Sequence, residues 1–159
     1  MGHVDDVIKF AQEYCEEHGF RFTEPRRLTL QVIVESVQPI GAYDIIDAIG
    51  KIADKPKPTT VYRAIDFLQQ QGFIHKIESL NAFVACHAGH NHRGSQFVIC
   101  NDCGNAEEIH LCNLPADLQK QLKQSGFDMA YWNTEIHGVC NDCKPQTDGK
   151  QGCGHDGCC

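Results

Sequence analysis

Apolar residues recur at helical spacing through the first seventy positions, and short alternating runs take over after them. Val4, Val7, Ile8, Ala11, Tyr14 and Cys15 predict an amphipathic helix over 3–18 that ends near Gly19. Cys15 falls in the apolar phase, which marks it as a buried structural thiol. Thr23 before Glu24-Pro25 predicts an N-cap with proline in the first turn. That second helix runs through Leu28, Leu30, Val32, Ile33 and Val37 and stops before Pro39. Residues 42–49 predict a short third helix broken by Gly50, and the two prolines of 53–58 exclude regular helix there. Thr59 or Thr60 is placed to cap a fourth helix that runs to Gln71, with Gly72 as its stop. At about 100° per residue Val61, Ile65 and Leu68 share one face, and Arg63 points roughly 200° away from Val61 and Ile65. Helix, turn and outward-facing second helix is the pattern of a helix-turn-helix.

Two short runs follow, Phe73 to Ile77 and Ala82 to Cys86, and a hairpin after a recognition helix is a wing. Strand alternation puts His75 with Phe73 and Ile77, and Cys86 with Ala82 and Val84. His75 and Cys86 are expected at the two ends of that hairpin. The polar, glycine-containing stretch 87–96 suits a hinge. Beyond it, 97–99 and 106–111 predict strands, and Leu114, Leu118 and Leu122 a helix ended by Ser125-Gly126. Phe127 to His137 predicts a long strand. The expected class is α+β: a winged-helix (helix-turn-helix) domain over 1–86, the hinge, a small α/β domain over 97–143, and a flexible tail over 144–159. The second domain is small enough to need a metal staple or a partner subunit.

Composition narrows this picture. The 159 residues hold 42% hydrophobic and 22% charged side chains, as an ordinary globular chain does. No apolar run reaches the ~20 residues that span a bilayer. The opening Met-Gly-His-Val-Asp-Asp lacks the basic and apolar stretches of a secretion signal. Ten cysteines without an export signal point to reduced thiols, metal and the cytoplasm. A net charge of −7 runs against nucleic-acid binding as a whole-molecule property. Locally, however, Lys51, Lys55, Lys57 and Arg63 make a basic face interrupted by one acid, Asp54.

The chemistry concentrates between Phe83 and Gly104. Cys86, His87, His90, His92, Cys100 and Cys103 fall within 18 positions there. Imidazole and thiolate are the donors zinc prefers, and thiolate selects against hard cations. Cys100-Asn101-Asp102-Cys103 and Cys140-Asn141-Asp142-Cys143 are two halves of a zinc knuckle, with ligands at Cys100, Cys103, Cys140 and Cys143. An enzymatic zinc has little support, because the chain has no HExxH and no deaminase His-x-Glu with Pro-Cys-x-x-Cys. A metal buffer remains a rival, since the tail adds Cys153, His155, Cys158 and Cys159, but a buffer does not need an outward-facing Arg63.

Thr23-x-x-Arg26-Arg27, Ala42-Tyr43-Asp44, residues 60–64 (TVYRA), Gly72-Phe73 and the paired CxxC elements together resemble the ferric uptake regulator family over nearly all of residues 4–143. Within it the chain looks like the zinc uptake regulator branch. The hinge run begins with Cys86-His87, where iron and peroxide sensors carry a His-His-Asp-His type run, and cysteine favours zinc on softness. The resemblance implies a homodimeric repressor of zinc uptake genes that binds palindromic operator DNA. It implies two Zn2+ per chain, structural at the four knuckle cysteines and regulatory at His75, Cys86, His92 and Glu108. Glu107, His87 and His90 stand as alternatives to those regulatory ligands. It also implies that Tyr43 and Arg63 reach bases, with Tyr62, Lys55 and Lys57 at the DNA backbone and Thr60 among the DNA-binding residues. An iron- or peroxide-sensing regulator of the same family is the runner-up.

Overall fold

The computed structural model describes residues 2–86, 96–109, 114–130 and 132–144. The helices predicted from periodicity are present: α1 (Gly2–Glu17), α2 (Glu24–Glu35), α3 (Ala42–Ile52) and α4 (Pro58–Gln70). Each buries one apolar stripe in a common core built around Leu30, Ile33, Ile45, Ile49, Leu68 and Ile74. Cys15 is fully buried in it, and that burial pushes its thiol pKa up. Its packing role matches the apolar phase.

Boundaries differ from the sequence pattern in four places. α2 stops at Glu35, and Val37, expected inside it, is 92% exposed. A two-residue strand, β1 (Ile40–Gly41), follows instead. α3 continues through Gly50 to Ile52, because a glycine lowers helix stability without breaking the backbone hydrogen-bond pattern. α4 begins earlier than either threonine: Lys57 occupies the cap position and Pro58 the first turn, where proline's missing N–H costs nothing.

The wing is β2 (Ile74–Ile77) and β3 (Ala82–Ala85), joined antiparallel with Ile77 opposite Ala82. β1 pairs with the other edge of β3 and completes a three-stranded sheet in the order β1-β3-β2. The turn between β2 and β3 places Asn81 in the left-handed region at φ 47°, one that asparagine tolerates better than most residues.

The second sheet has the order β5-β4-β6. β4 (Gln96–Cys100) pairs antiparallel with β5 (Ala106–Glu108) and parallel with β6 (Thr134–Gly138). The helix α5 (Ala116–Gln124) lies in the crossover that a parallel pairing requires. The long strand expected over 127–137 is confined to its last residues, since 127–130 carry no regular structure. The result is the α+β class with a winged helix followed by a smaller mixed sheet. Ile77 of the wing packs in one small cluster with Phe97 and Ile99 of the second sheet, so the two sheets touch through apolar side chains.

Candidate metal centres and nucleic-acid interface

Parallel pairing explains how two CxxC elements 37 positions apart meet. β4 ends at Cys100 and β6 at Gly138, and these two residues are register partners. Strands running in the same direction deliver their C-terminal turns to the same end of the sheet. The Sγ atoms of Cys100, Cys103, Cys140 and Cys143 consequently lie within 4.8 Å of one another. Cys103 Sγ and Cys140 Sγ are 3.8 Å apart. A disulfide would need about 2.05 Å. A tetrahedral zinc with sulfur about 2.3 Å away spaces its thiolates about 3.8 Å apart. The donor set and its spacing therefore fit a structural zinc.

The protonation pattern points the same way. The N–H groups of Cys103 and Cys140 donate to Cys100 Sγ and hold its pKa down at about 6. Cys143 is pushed far above the ordinary thiol range by its contacts with Cys140 and Cys103 and by burial. Four thiols this close cannot all ionise unless a cation offsets their repulsion. Gly104 ends the first knuckle at φ +72°, a conformation that suits glycine.

The second cluster joins the two sheets. In the antiparallel hairpin His75 faces Val84, and Cys86 follows β3 with its N–H on the carbonyl of Phe73. His75 and Cys86, expected at the two ends of the hairpin, are thus together at its open end. Residues opposite or two positions on from the opposite one share a sheet face, so both side chains project the same way. Glu108 reaches them from β5. The ligand atoms of His75, Cys86 and Glu108 lie within 4.8 Å of one another. His75 Nε2 and Glu108 Oε1 are 3.4 Å apart, and both side chains are largely buried. A zinc tetrahedron with ligand bonds of about 2.0–2.1 Å spaces nitrogen and oxygen donors about 3.3–3.4 Å apart, so these residues fit the ion as well. The Phe97 ring sits edge-on to His75, 6.1 Å between centroids, and forms an apolar floor. Strand alternation turns Glu107 to the other, exposed face, which leaves Glu108 as the carboxylate of the cluster. His92, His87 and His90 lie outside the described residues, as do the tail residues Cys153, His155, Cys158 and Cys159.

The residues expected at DNA lie on α3, on α4 and on the link between them. Tyr43, in the first turn of α3, is 76% exposed. Tyr62 and Arg63 project outward from α4 while Val61, Ala64 and Ile65 are buried behind them. Lys57 is exposed at the N-cap and Thr60 is half-buried one turn in. Lys55 is engaged rather than free. Its Nζ donates to Asp47 Oδ1 at 2.7 Å, and this bond holds the Asp47 carboxyl below its ordinary pKa. The arginines of the Thr23-x-x-Arg26-Arg27 motif brace the domain. Arg26 stacks over Phe67 at 3.3 Å from the ring centre and donates to the carbonyl of Arg21. Arg27 grips both carboxylate oxygens of Glu24 and reaches Gln31.

Sequence reasoning missed the ties between the two sheets outside the second cluster. Gln38 Nε2 donates to the carbonyl of Cys103, and Glu135 accepts from the wing turn. No local pattern signals a polar side chain whose partner is 57 positions away.

Comparisons with known proteins agree with this architecture. The zinc uptake regulation protein of Escherichia coli (strain K12) is 33% identical over 142 residues, which cover 88% of this chain and 82% of that protein. A zinc uptake regulator complexed with zinc and DNA superposes with a TM-score of 0.80 at 31% identity, over 89% of this chain and 95% of that one. Holo XcZur superposes at 0.78 with 36% identity, covering 87% and 96%. Apo XcZur superposes at 0.52 with 35% identity, covering 90% and 99%. Among the described residues no helix is long and apolar enough to cross a membrane. The profile of the ferric uptake regulator family matches residues 17–143, and the chain belongs to that family of transcription regulators rather than to any class of enzymes.

Proposed function

We propose that this chain is a zinc-responsive transcriptional repressor, acting in the cytoplasm as a homodimer on palindromic operators of zinc uptake genes. The observation that carries the reading is the convergence of His75, Cys86 and Glu108 from the wing and the second sheet onto one point. A cysteine among three donors favours zinc over ferrous iron on ligand softness, which sets the iron- and peroxide-sensing alternative behind. The likeness to holo XcZur rather than apo XcZur supports reading this arrangement as the metal-loaded one.

Two zinc ions per chain follow from two clusters, with His92 as fourth ligand of the regulatory site. Bound there, zinc supplies a cross-link between segments of different domains. His75 contributes from β2, Cys86 from the end of β3 and Glu108 from β5, so their joint engagement fixes the recognition helix against the second domain. We take 1–86 as the DNA-binding domain, 87–96 as the hinge, 97–143 as the dimerisation domain and 144–159 as the tail. α5 buries none of its residues and leaves Leu118 exposed, and Ile136 and Val139 are exposed on and beside β6, which supports a partner subunit against the second domain. In a dimer the two α4 helices must stand about one DNA turn apart, ~34 Å or a multiple, to read a palindrome. Arg63 and Tyr43 would read bases from there.

The test is a gel shift at controlled free zinc on candidate palindromes, beside metal analysis of the purified protein. Zinc-dependent, sequence-selective binding with two zinc per chain is the expected result. Two zinc per chain without any selective shift would point to a zinc buffer instead.

A further inference from the structure

The wing turn holds a carboxylate from the other sheet. Glu135, on β6, accepts from the N–H of Glu78 through Oε1 at 2.7 Å and from the N–H of Ser79 through Oε2 at 3.2 Å. Successive backbone N–H groups aimed at one anion form a concave anion site, and charged acceptors make such bonds stronger than neutral ones. The Glu135 side chain is 19% exposed. Burial works against its charged form, yet the donors at Ser79 and Glu78 outweigh it and hold the carboxyl below its ordinary pKa.

Glu135 has a histidine neighbour on its own strand. His137 Nε2 lies 3.7 Å from Glu135 Oε2, and His137 Nδ1 lies 3.2 Å from Asn101 Oδ1 inside the first CxxC element. The N–H of Asn101 in turn donates to the carbonyl of Gly138. Polar side chains thus line up from the four-cysteine knuckle along β6 to the wing turn. Gln38, on the link between α2 and β1, donates to the carbonyl of Cys103 at 2.9 Å and makes a second tie to the same knuckle. Ile77, next to the turn, packs on Phe97 and Ile99.

We propose that Glu135 is a positioning residue whose carboxylate clasps the wing turn and docks the winged helix on the second domain at the knuckle end, apart from the His75, Cys86 and Glu108 cluster. The wing of this chain is then a docking element, and the amides of Glu78 and Ser79, engaged by Glu135, are not offered to a DNA phosphate. The His75 cluster and the Glu135 clasp grip the same hairpin at opposite ends, at its open end and at its turn. Two grips fix an orientation where one leaves a pivot. This proposal rests on the reading of the chain as a zinc-responsive DNA binder, since its consequence is a better-defined placement of α4.

The experiment compares full-length parent, Glu135→Ala and Glu135→Gln. It reads amide hydrogen exchange at Glu78 and Ser79, zinc per chain, subunit state, and operator affinity across controlled free zinc. In Glu135→Ala both amides should exchange roughly tenfold faster or more, and operator affinity at saturating zinc should fall roughly tenfold, with knuckle zinc and dimer retained. Half-saturation of the regulatory site should move to higher zinc, since the clasp and that site favour the same arrangement. Glu135→Gln, which keeps a neutral acceptor, should fall between the two. Unchanged exchange would overturn the clasp. Faster exchange with parental operator affinity and zinc response would overturn its positioning role and leave a local bond. Should Glu135→Ala shed its knuckle zinc, Glu135→Gln decides by the same readings. If the parent itself binds no operator, the functional reading fails, and the exchange data alone decide whether the clasp exists.

Discussion

Individual side chains in this protein separate into those that hold the fold and those that act on a partner. Cys100 belongs to the first kind. Closed zinc sites contribute folding free energy on the order of 10 kcal/mol or more, and Cys100 also anchors the first knuckle turn through the N–H of Gly104 on its carbonyl. Cys100→Ser should lose zinc and second-domain structure at every zinc level, as metal analysis and thermal unfolding would report. In the proposed function Cys86 belongs to the second kind. Cys86→Ser should keep the knuckle zinc and the fold but lose zinc-dependent DNA binding at levels that suffice for the parent. Retention of both zinc ions with parental affinity would remove Cys86 from the ligand set. The lysines divide in a way the sequence could not reveal. Lys57 is exposed at the start of α4, and Lys55 is bound to Asp47. Lys57→Ala should weaken all DNA sequences about equally and flatten the salt dependence by about one phosphate contact. Lys55→Ala should also weaken all sequences, because it removes a cation and leaves the exposed Asp47 carboxylate without it on the same face. Arg63→Ala should cost roughly 1–3 kcal/mol and relax one operator position, if it pairs with guanine as its outward placement allows.

Among the elements, the sheet β5-β4-β6 shows how a topology can assemble a site. Antiparallel pairing of β4 and β6 would send the two CxxC turns to opposite ends, and the four thiols could not meet. Gly104 is the point where this design meets backbone strain. Its φ is +72° and a Cβ there would touch nothing within 4 Å, so Gly104→Ala isolates the conformational cost. That cost should be roughly 1–2 kcal/mol of stability, read by denaturant unfolding of the zinc-loaded protein, with zinc stoichiometry unchanged. The helices were legible because α1, α2 and α4 carry a clear apolar period, and Gly72 stops α4 as its backbone freedom suggested, whereas the ends of α2 and α3 were not. The four-cysteine site was legible because ligand spacing within each CxxC is local. β1 was not, since two residues carry no period, and neither was the truncation of the strand after Phe127, whose alternation continues while the pairing does not. Glu108 could be separated from Glu107 only by the side of β5 each one occupies. Glu135 was invisible for the same physical reason: its partners are backbone amides, which leave no trace in the residue type.

For the whole molecule the question is how a few bonds at the sheet boundary control a protein that is acidic overall. At a net charge of −7 the chain gains little from long-range attraction to DNA, so in the proposed repressor affinity would depend on presenting Tyr43, Lys57 and Arg63 at the correct spacing. A dimer whose recognition helices sample many separations presents them badly. In the proposed repressor, joining β2, β3 and β5 through His75, Cys86 and Glu108 would narrow those separations, and the energy for doing so would come from preferential zinc binding to the narrowed arrangement. A change from mostly unbound to mostly bound DNA needs about 5.5 kcal/mol of such preference, near 10⁴ in affinity. Thermodynamic linkage then fixes a quantitative test. If zinc raises operator affinity by some factor, operator DNA must raise the zinc affinity of the regulatory site by the same factor. Competition titrations against a zinc chelator, with and without a saturating palindrome, measure the second factor, and gel shifts at high and low free zinc measure the first. The two factors should agree, and both should collapse toward one in Cys86→Ser while the knuckle zinc stays bound. A regulatory zinc affinity indifferent to DNA, in a protein whose DNA affinity still rises with zinc, would mean that the ion acts at another site and not through this cluster.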